Sequence, residues 1–309
     1  MGITYHNKMK KYQHYFCNSK PQGQPEQVRV SYWGANTLVI TDGESTLLID
    51  PFFTRPGLQA LLRHQQPDQE KILLYLNEAG VDRADAVLLT HAHFDHALDA
   101  AIISNQTQAS LVGSRSAAMV GRGGGVPEDR IIPIQSEESV EAGSFVVTFI
   151  RSVHVPLPFP LSLFAEISKD IKAPLASPAY IWDFKAGETY ALHIAHREGN
   201  LVVTGSAGWV PGGLVGWQAD VVILAAGGLA WRDKMYISSY VEETVAVVQA
   251  KQVLVSHWDD FTKPLEAPLR FGGVNGNCLE LLNLLVSAVN GCSLRLMPVG
   301  QAIPLFGVK

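Results

Sequence analysis

Three histidines and an aspartate fall within six residues, in the run Thr90-His91-Ala92-His93-Phe94-Asp95-His96 of a 309-residue chain with ten histidines. Imidazole nitrogen and carboxylate oxygen both take Zn(II), at about 2.0–2.2 Å. His91 and His93, two apart, can point the same way. Asp95 and His96 lie at the start of the next expected helix and can point to a neighbouring ion. Four donors on one loop predict a centre for one or two divalent cations, Zn(II) first, with Mn or Fe as other choices. The competing reading is a solvated, His-rich loop. Against it stands the wholly apolar Ala86-Val87-Leu88-Leu89 just before, since open α/β sheets gather their sites at strand ends.

Around that loop the pattern alternates strands and helices. Asn36–Thr41 and Ser45–Asp50 flank an Asp42-Gly43 turn, a strong hairpin signal. Pro67 and Asp68 open a helix that Gly80 ends. A helix is expected near 97–103, a strand at 110–112 and a helix at 114–120. Strands follow at 145–151, 179–184, 189–196 and 201–204, with Lys185-Ala186-Gly187 turning 179–184 into 189–196. A strand at 220–225, a helix near 239–250, a strand at 252–256 and a last helix near 277–289 complete the reading. Strand-rich halves with helices between them imply an α/β fold of sheets packed face to face, helices outside. Residues 1–26 are polar and read as an amino-terminal arm, and 27–309 as a single domain. Residues 155–178 read as an apolar insertion carrying Leu157, Phe159, Leu161, Leu163, Phe164, Ile167 and Ile171. It is expected as a packed helix, an apolar lid or a dimer contact.

The segment VLLTHAHFDHALD (residues 87–99) resembles the signature of the metallo-β-lactamase superfamily, and the resemblance covers roughly residues 27 to 260. SYWGANTLVITDGESTLLIDPFF, ending on the strand that leads to Asp50, is similar to the family's first motif. Ser152-Val153-His154 is similar to its third and Val255-Ser256-His257-Trp258-Asp259 to its last. The resemblance implies a four-layer αββα sandwich with the metals at one edge. It also implies His91, His93 and His154 on one ion and Asp95, His96 and His257 on the second, with Asp50 supporting the loop rather than binding metal. The activity implied is hydrolysis: a bound cation lowers the pKa of its water towards about 7, and the hydroxide attacks an ester-like, lactone or phosphodiester bond, with Asp95 orienting it. The hairpin and the Ile-Asp-Pro ending look most like the branch with the sugar-lactone lactonases. A small-molecule or phospholipid phosphodiesterase is the alternative, and a metal-binding scaffold without catalysis the reading from another class.

One position departs from the family. Where its fourth motif carries an aspartate that bridges both metals, this chain reads Thr204-Gly205-Ser206. Either six ligands hold two ions more weakly, or one ion is held and the second site is partial. His193 and His196, three apart on one strand, read as packed or surface residues, with His193 also weighed as a substrate contact. His6, His14 and His64 read as solvated. Arg122 in Gly121-Arg122-Gly123-Gly124-Gly125 is an anion contact at most, and Trp209, Trp258 and Asp259 are weighed as cleft-lining.

Composition narrows the classes. With 47% hydrophobic and 17% charged residues the chain is neither disordered nor fibrous. The formal net charge of -5 argues against coating nucleic acid, so the expected partner is a small-molecule substrate with an apolar part, a homo-oligomer being left open. Three cysteines without C-x-x-C spacing fit a reducing, cytoplasmic setting. No apolar run of about 18 residues is present, so no membrane span is expected.

Overall fold

The Asp42-Gly43 turn closes the expected hairpin, β2 (Leu38–Thr41) against β3 (Thr46–Ile49). Asp42 Oδ1 accepts from the backbone N–H of Glu44 (2.9 Å) and Ser45 (2.7 Å), while Gly43 supplies the positive φ of 98°. The computed structural model describes residues 3–17, 27–57, 62–158, 169–272, 278–289 and 291–306. No helix among the described residues is long and apolar enough to cross a membrane.

Two seven-stranded mixed sheets are built the same way. In the first, β1 (Arg29–Tyr32) runs antiparallel to β2 and to β14 (Ala302–Pro304), and β4 (Ala86–Leu88), β5 (Ser110–Gly113) and β6 (Ile131–Pro133) extend β3 in parallel. In the second, β7 (Ser139–Ala142), β8 (Phe145–Ser152), β9 (Thr189–His196) and β10 (Gly199–Thr204) form an antiparallel meander. There β11 (Val221–Ala225), β12 (Gln252–Ser256) and β13 (Ser293–Leu296) follow in parallel. The parallel strands β4 and β11 are buried along their whole length, because each is covered on both faces. The result is the four-layer αββα sandwich, with one continuous core joining both sheets.

Capping sets the helix starts. Asp68 accepts from Lys71 N to open α1 (Gln69–Glu78). A short α2 (Phe94–Ala97) and α3 (Ala100–Thr107) together occupy the region expected to hold one helix near 97–103. Ser114 caps α4 (Arg115–Gly123). Asp233 caps α5 (Lys234–Val241), so this helix begins five residues before the expected start and continues as a π-helical turn, Glu242–Ala246. The last, α6 (Leu279–Ser287), packs on β13.

Two expectations need correcting. Residues 179–184 are not a strand. Asp183 Oδ2 accepts from Tyr180 N (2.9 Å) and winds Ile181–Asp183 into a 3-10 turn, and both edges of β9 are already taken by β8 and β10. Nor are residues 3–17 a loose polar arm. Asn7–Tyr15 form a 3-10 helix with Met9 and Tyr12 buried, because the apolar side chains share one side of the turns. The rest of the expected arm, 18–26, lies outside the described residues, as do 159–168 of the apolar insertion and 273–277 of the glycine-rich approach to α6. At the insertion's flanks Val155 and Ile171 are buried.

Candidate metal centre

Asp50, fully buried just past β3, organises the loop that follows β4. Its Oδ1 accepts from Thr90 N (2.8 Å). Its Oδ2 accepts from Thr90 Oγ1 (2.6 Å) and Asn36 Nδ2 (2.8 Å), and lies 2.9 Å from His96 Nδ1. It therefore fixes the turn into His91 and sets the ring of His96. The loop then passes His91 and His93 and enters α2, which carries Asp95 and His96 on its single turn. Between the two histidines Ala92 N donates to Ala186 O (2.9 Å).

β8 delivers His154. Its Nδ1 lies 2.8 Å from Val155 O; a carbonyl only accepts, so Nδ1 carries the proton and Nε2 keeps a lone pair for a ligand. β12 delivers His257 with φ +54°, a left-handed conformation that costs a non-glycine residue on the order of 1–3 kcal/mol and persists only where the surroundings over-determine it. They do so here. Ser256 Oγ donates to Asn36 Oδ1 (2.6 Å), and Trp258 and Asp259 are both buried. The ring of His257 also lies so close to Gly227 that a Cβ there would stand 3.0 Å from it.

The side chains gather in two groups, His91, His93 and His154, and Asp95, His96 and His257, the ligand atoms of each lying within 4.8 Å of one another. His91 and His96 rings are 3.9 Å apart between centroids, and His91 Nε2 lies 3.1 Å from His93 Nδ1. Burial, and then the neighbouring imidazoles, hold His91 well below the usual histidine range. Burial and His93 push the partly buried His154 down to about 3. Burial opposes ionisation of Asp95, but His96, His257 and His93 outweigh it and hold the carboxyl low. For His96 burial is outweighed the other way, by Asp50 and Asp95, and its pKa rises. His91 and His154 are thus poised as neutral imidazoles and Asp95 as a carboxylate, the forms in which these residues ligate metals. Five imidazoles and a carboxylate, buried and convergent, fit one or two Zn-like dications in donor type and number.

Ser206 stands at the end of β10 with its Oγ accepting from Val155 N (3.0 Å), so its hydroxyl holds the His154 loop. Gly205 before it must lack a side chain, because a Cβ would come within 2.1 Å of Thr90 Oγ1. Of the other residues singled out, His193 faces Gln218 O (3.0 Å) and Trp217, and His196 lies 3.3 Å from Asp42; neither joins the two groups. Arg122 pairs with Glu128. Trp258 is buried against Tyr32 and Phe271 rather than lining a cleft, and Trp209 packs on Tyr236 and Tyr240.

Three supporting residues escaped the sequence reading. Arg55, fully buried, donates from Nη2 to Asp259 Oδ2 (2.5 Å) and to Asp260 O (3.0 Å). Asp259 Oδ1 also accepts from Tyr32 Oη (2.6 Å) and Ala35 N (2.8 Å). Asp99, three residues past His96, accepts from Phe53 N, Thr54 N and Thr54 Oγ1 (2.6, 2.7 and 2.5 Å). Asn36 ties Asp50 to Ser256. Each pairs residues far apart in the chain, and the one local cue is polar type inside the motif-like stretches.

Residues 31–169 match the family model described as the metallo-beta-lactamase superfamily. A curated relative from Christiangramia forsetii, named UPF0173 metal-dependent hydrolase, is 35% identical over 85 residues, 28% of this chain and 31% of the relative. Another from Rhizobium meliloti is 27% identical over 129 residues, 41% of this chain and 48% of the relative. The chain thus spans less than half the length of these relatives. Among solved structures, a metallo hydrolase from Ignicoccus hospitalis superposes with a TM-score of 0.58 at 17% identity, over 91% of this chain and 99% of its own. That likeness is one of fold.

Proposed function

We propose, from the match of residues 31–169 to the metallo-beta-lactamase superfamily, a metal-dependent hydrolase acting on an ester-like, lactone or phosphodiester bond of a small molecule. The observation that carries this reading is the convergence of two three-residue groups of imidazole and carboxylate donors where loops from both sheets meet. His91, His93 and His154 would hold one ion and Asp95, His96 and His257 a second, Zn(II) being the first choice for imidazole-rich sites. When bound, such a cation supplies Lewis acidity and makes a water acidic enough to ionise near neutral pH.

The chain's own residues supply the rest. Asp95 Oδ2 lies 3.4 Å from His257 Nε2 and 3.7 Å from His96 Nε2, where it can orient a water and take its proton. Asp50 and Val155 O fix the rings of His96 and His154, so the donors need no rearrangement as charge develops. Val153, 45% exposed beside His154, supports a substrate with an apolar part. The free cysteines Cys17, Cys278 and Cys292 support a reducing, cytoplasmic setting.

The test is a panel of esters, lactones and phosphodiesters assayed on protein of measured metal content. Turnover lost on chelation and restored by Zn(II), Mn or Fe is the expected result. Metal-loaded protein that turns over none of the three classes overturns the hydrolase reading and leaves a metal-binding scaffold.

A further inference from the structure

We infer that residues 3–17 form a strap that positions His257, acting through Phe16 on Trp258. The inference rests on the reading of Asp95, His96 and His257 as one metal group. The strap is tied at both ends. Leu269 N donates to Thr4 O (2.9 Å), His6 N to Leu269 O (2.8 Å), Val299 N to Tyr5 Oη (2.9 Å) and Cys17 N to Leu296 O (2.9 Å). It thereby bridges the chain segment after His257 to the end of β13. Between the ties its aromatic rings close over Trp258. Phe16 meets Trp258 edge-on with centroids 6.0 Å apart, Tyr5 backs Phe16 at 5.2 Å, and Tyr12 meets Phe271, itself 5.3 Å from Trp258.

Trp258 directly follows His257, whose left-handed backbone needs support from outside. Two anchors grip the residues next to it. One is polar and belongs to the sheet body: Asp259 held by Arg55, Tyr32 and Ala35. The other is apolar: Trp258 between Tyr32 on one side and Phe16 with Phe271 on the other. Only the second is completed by the strap. His91, His93 and His154 come from the ends of β4 and β8, whereas the strap's ties and ring contacts lie at Trp258, Leu269, Phe271, Leu296 and Val299. Loosening the strap should therefore relax one metal group and spare the other. Phe16 is a positioning residue, remote from any substrate.

The test uses the full chain carrying Phe16→Ala, stripped of metal, with two readouts. Titration with Zn(II) should show one of two ions losing affinity about 10–100-fold, the usual consequence of losing an outer supporting residue, with the other ion unchanged. Hydrogen exchange of metal-free protein should be faster over residues 256–260 and unchanged over 90–96. Phe16→Leu, which keeps apolar bulk, should recover most of both effects, and it serves as the test variant if Phe16→Ala does not fold. Equal weakening of both ions, or unchanged exchange and unchanged affinity, overturns the strap. A wild-type chain that takes up no second ion overturns the metal reading instead, and the exchange experiment still decides the strap, because it needs no metal.

Discussion

The two candidate metal groups differ in charge and in bracing. His91, His93 and His154 bring three imidazoles and no carboxylate, and their supports are local hydrogen bonds: Thr90 N and Oγ1 to Asp50, Ala92 N to Ala186 O, Val155 N to Ser206 Oγ. Asp95, His96 and His257 include a carboxylate, and behind them stand a fully buried ion pair, an Asp50–Asn36–Ser256 relay and an edge-on aromatic contact. A neutral site has only donor geometry to offer a dication. A site with a strained histidine has to be held from behind, and that requires residues from distant parts of the chain. Each group takes one histidine from just past a strand of the second sheet, and the heavier bracing goes with the one whose backbone is left-handed.

Removing a ligand breaks the comparison outright and gives the largest expected effect. His93→Ala should abolish binding of one ion, and Asp95→Asn that of the other, each by more than the roughly 10–100-fold attributed to a lost supporting residue. Both variants should keep native circular dichroism, since the core does not depend on these side chains. Metal stoichiometry by titration checks the pair; loss of the same ion in both variants contradicts the division into two groups.

Breaking the deep brace comes next. Arg55 and Asp259 have fully buried side chains, and removing one member of such a pair costs roughly 3–5 kcal/mol because the other is left charged and unpaired. Arg55→Met should lower the unfolding free energy, read from the denaturant midpoint and slope, by an amount in that range and weaken the ion at Asp95, His96 and His257 more than its neighbour. A stability loss with both affinities intact would confine Arg55 to folding.

Asp99 sharpens the same contrast through pH. Burial raises its carboxyl to about 6, against the Thr54 and Phe53 donors that favour ionisation. The unfolded value is about 3.9, so the native state binds the proton more tightly between those limits. The stability this contributes is complete below about pH 4 and is lost as pH rises through about 6. Asp99→Asn should remove that slope, read as the difference from wild type in denaturant midpoints between pH 4.5 and 7. A slope retained in the variant assigns it to another group.

Legibility in the sequence divides along the same line. The His91–His96 run, the Asp42-Gly43 hairpin and the short apolar β4 are local patterns, and each stands where its spacing placed it. Arg55 gave no signal because its partner is 204 residues away. The strap did carry one: Tyr5, Met9, Tyr12 and Phe16 recur at spacings of four, three and four. The lysines and asparagine between them hid it, because a one-sided apolar stripe on a short 3-10 helix barely shifts average polarity. Residues 179–184 misled in the opposite direction. Ala179, Ile181 and Phe184 looked strand-like, but a side-chain cap from Asp183 and the absence of a free edge on β9 decided the conformation.

Ser206 gives the smallest effect. Its Oγ holds Val155 N, and Val155 O in turn fixes the ring of His154. Ser206→Ala leaves a buried N–H without its acceptor, at a cost of about 1–3 kcal/mol. If half of that reaches His154, the ion it shares with His91 and His93 weakens up to about tenfold, since 1.4 kcal/mol is one decade. Ser206→Asp adds a charge beside both groups. An aspartate that reaches the ions must release Val155 N or span both, so it should tighten the weaker ion while leaving the His154 ion no tighter than in wild type. Titration of the three proteins side by side decides. Ser206→Ala with both affinities unchanged would show that His154 needs no help from β10, and the contrast between a lightly and a heavily braced group would then be wider than drawn here.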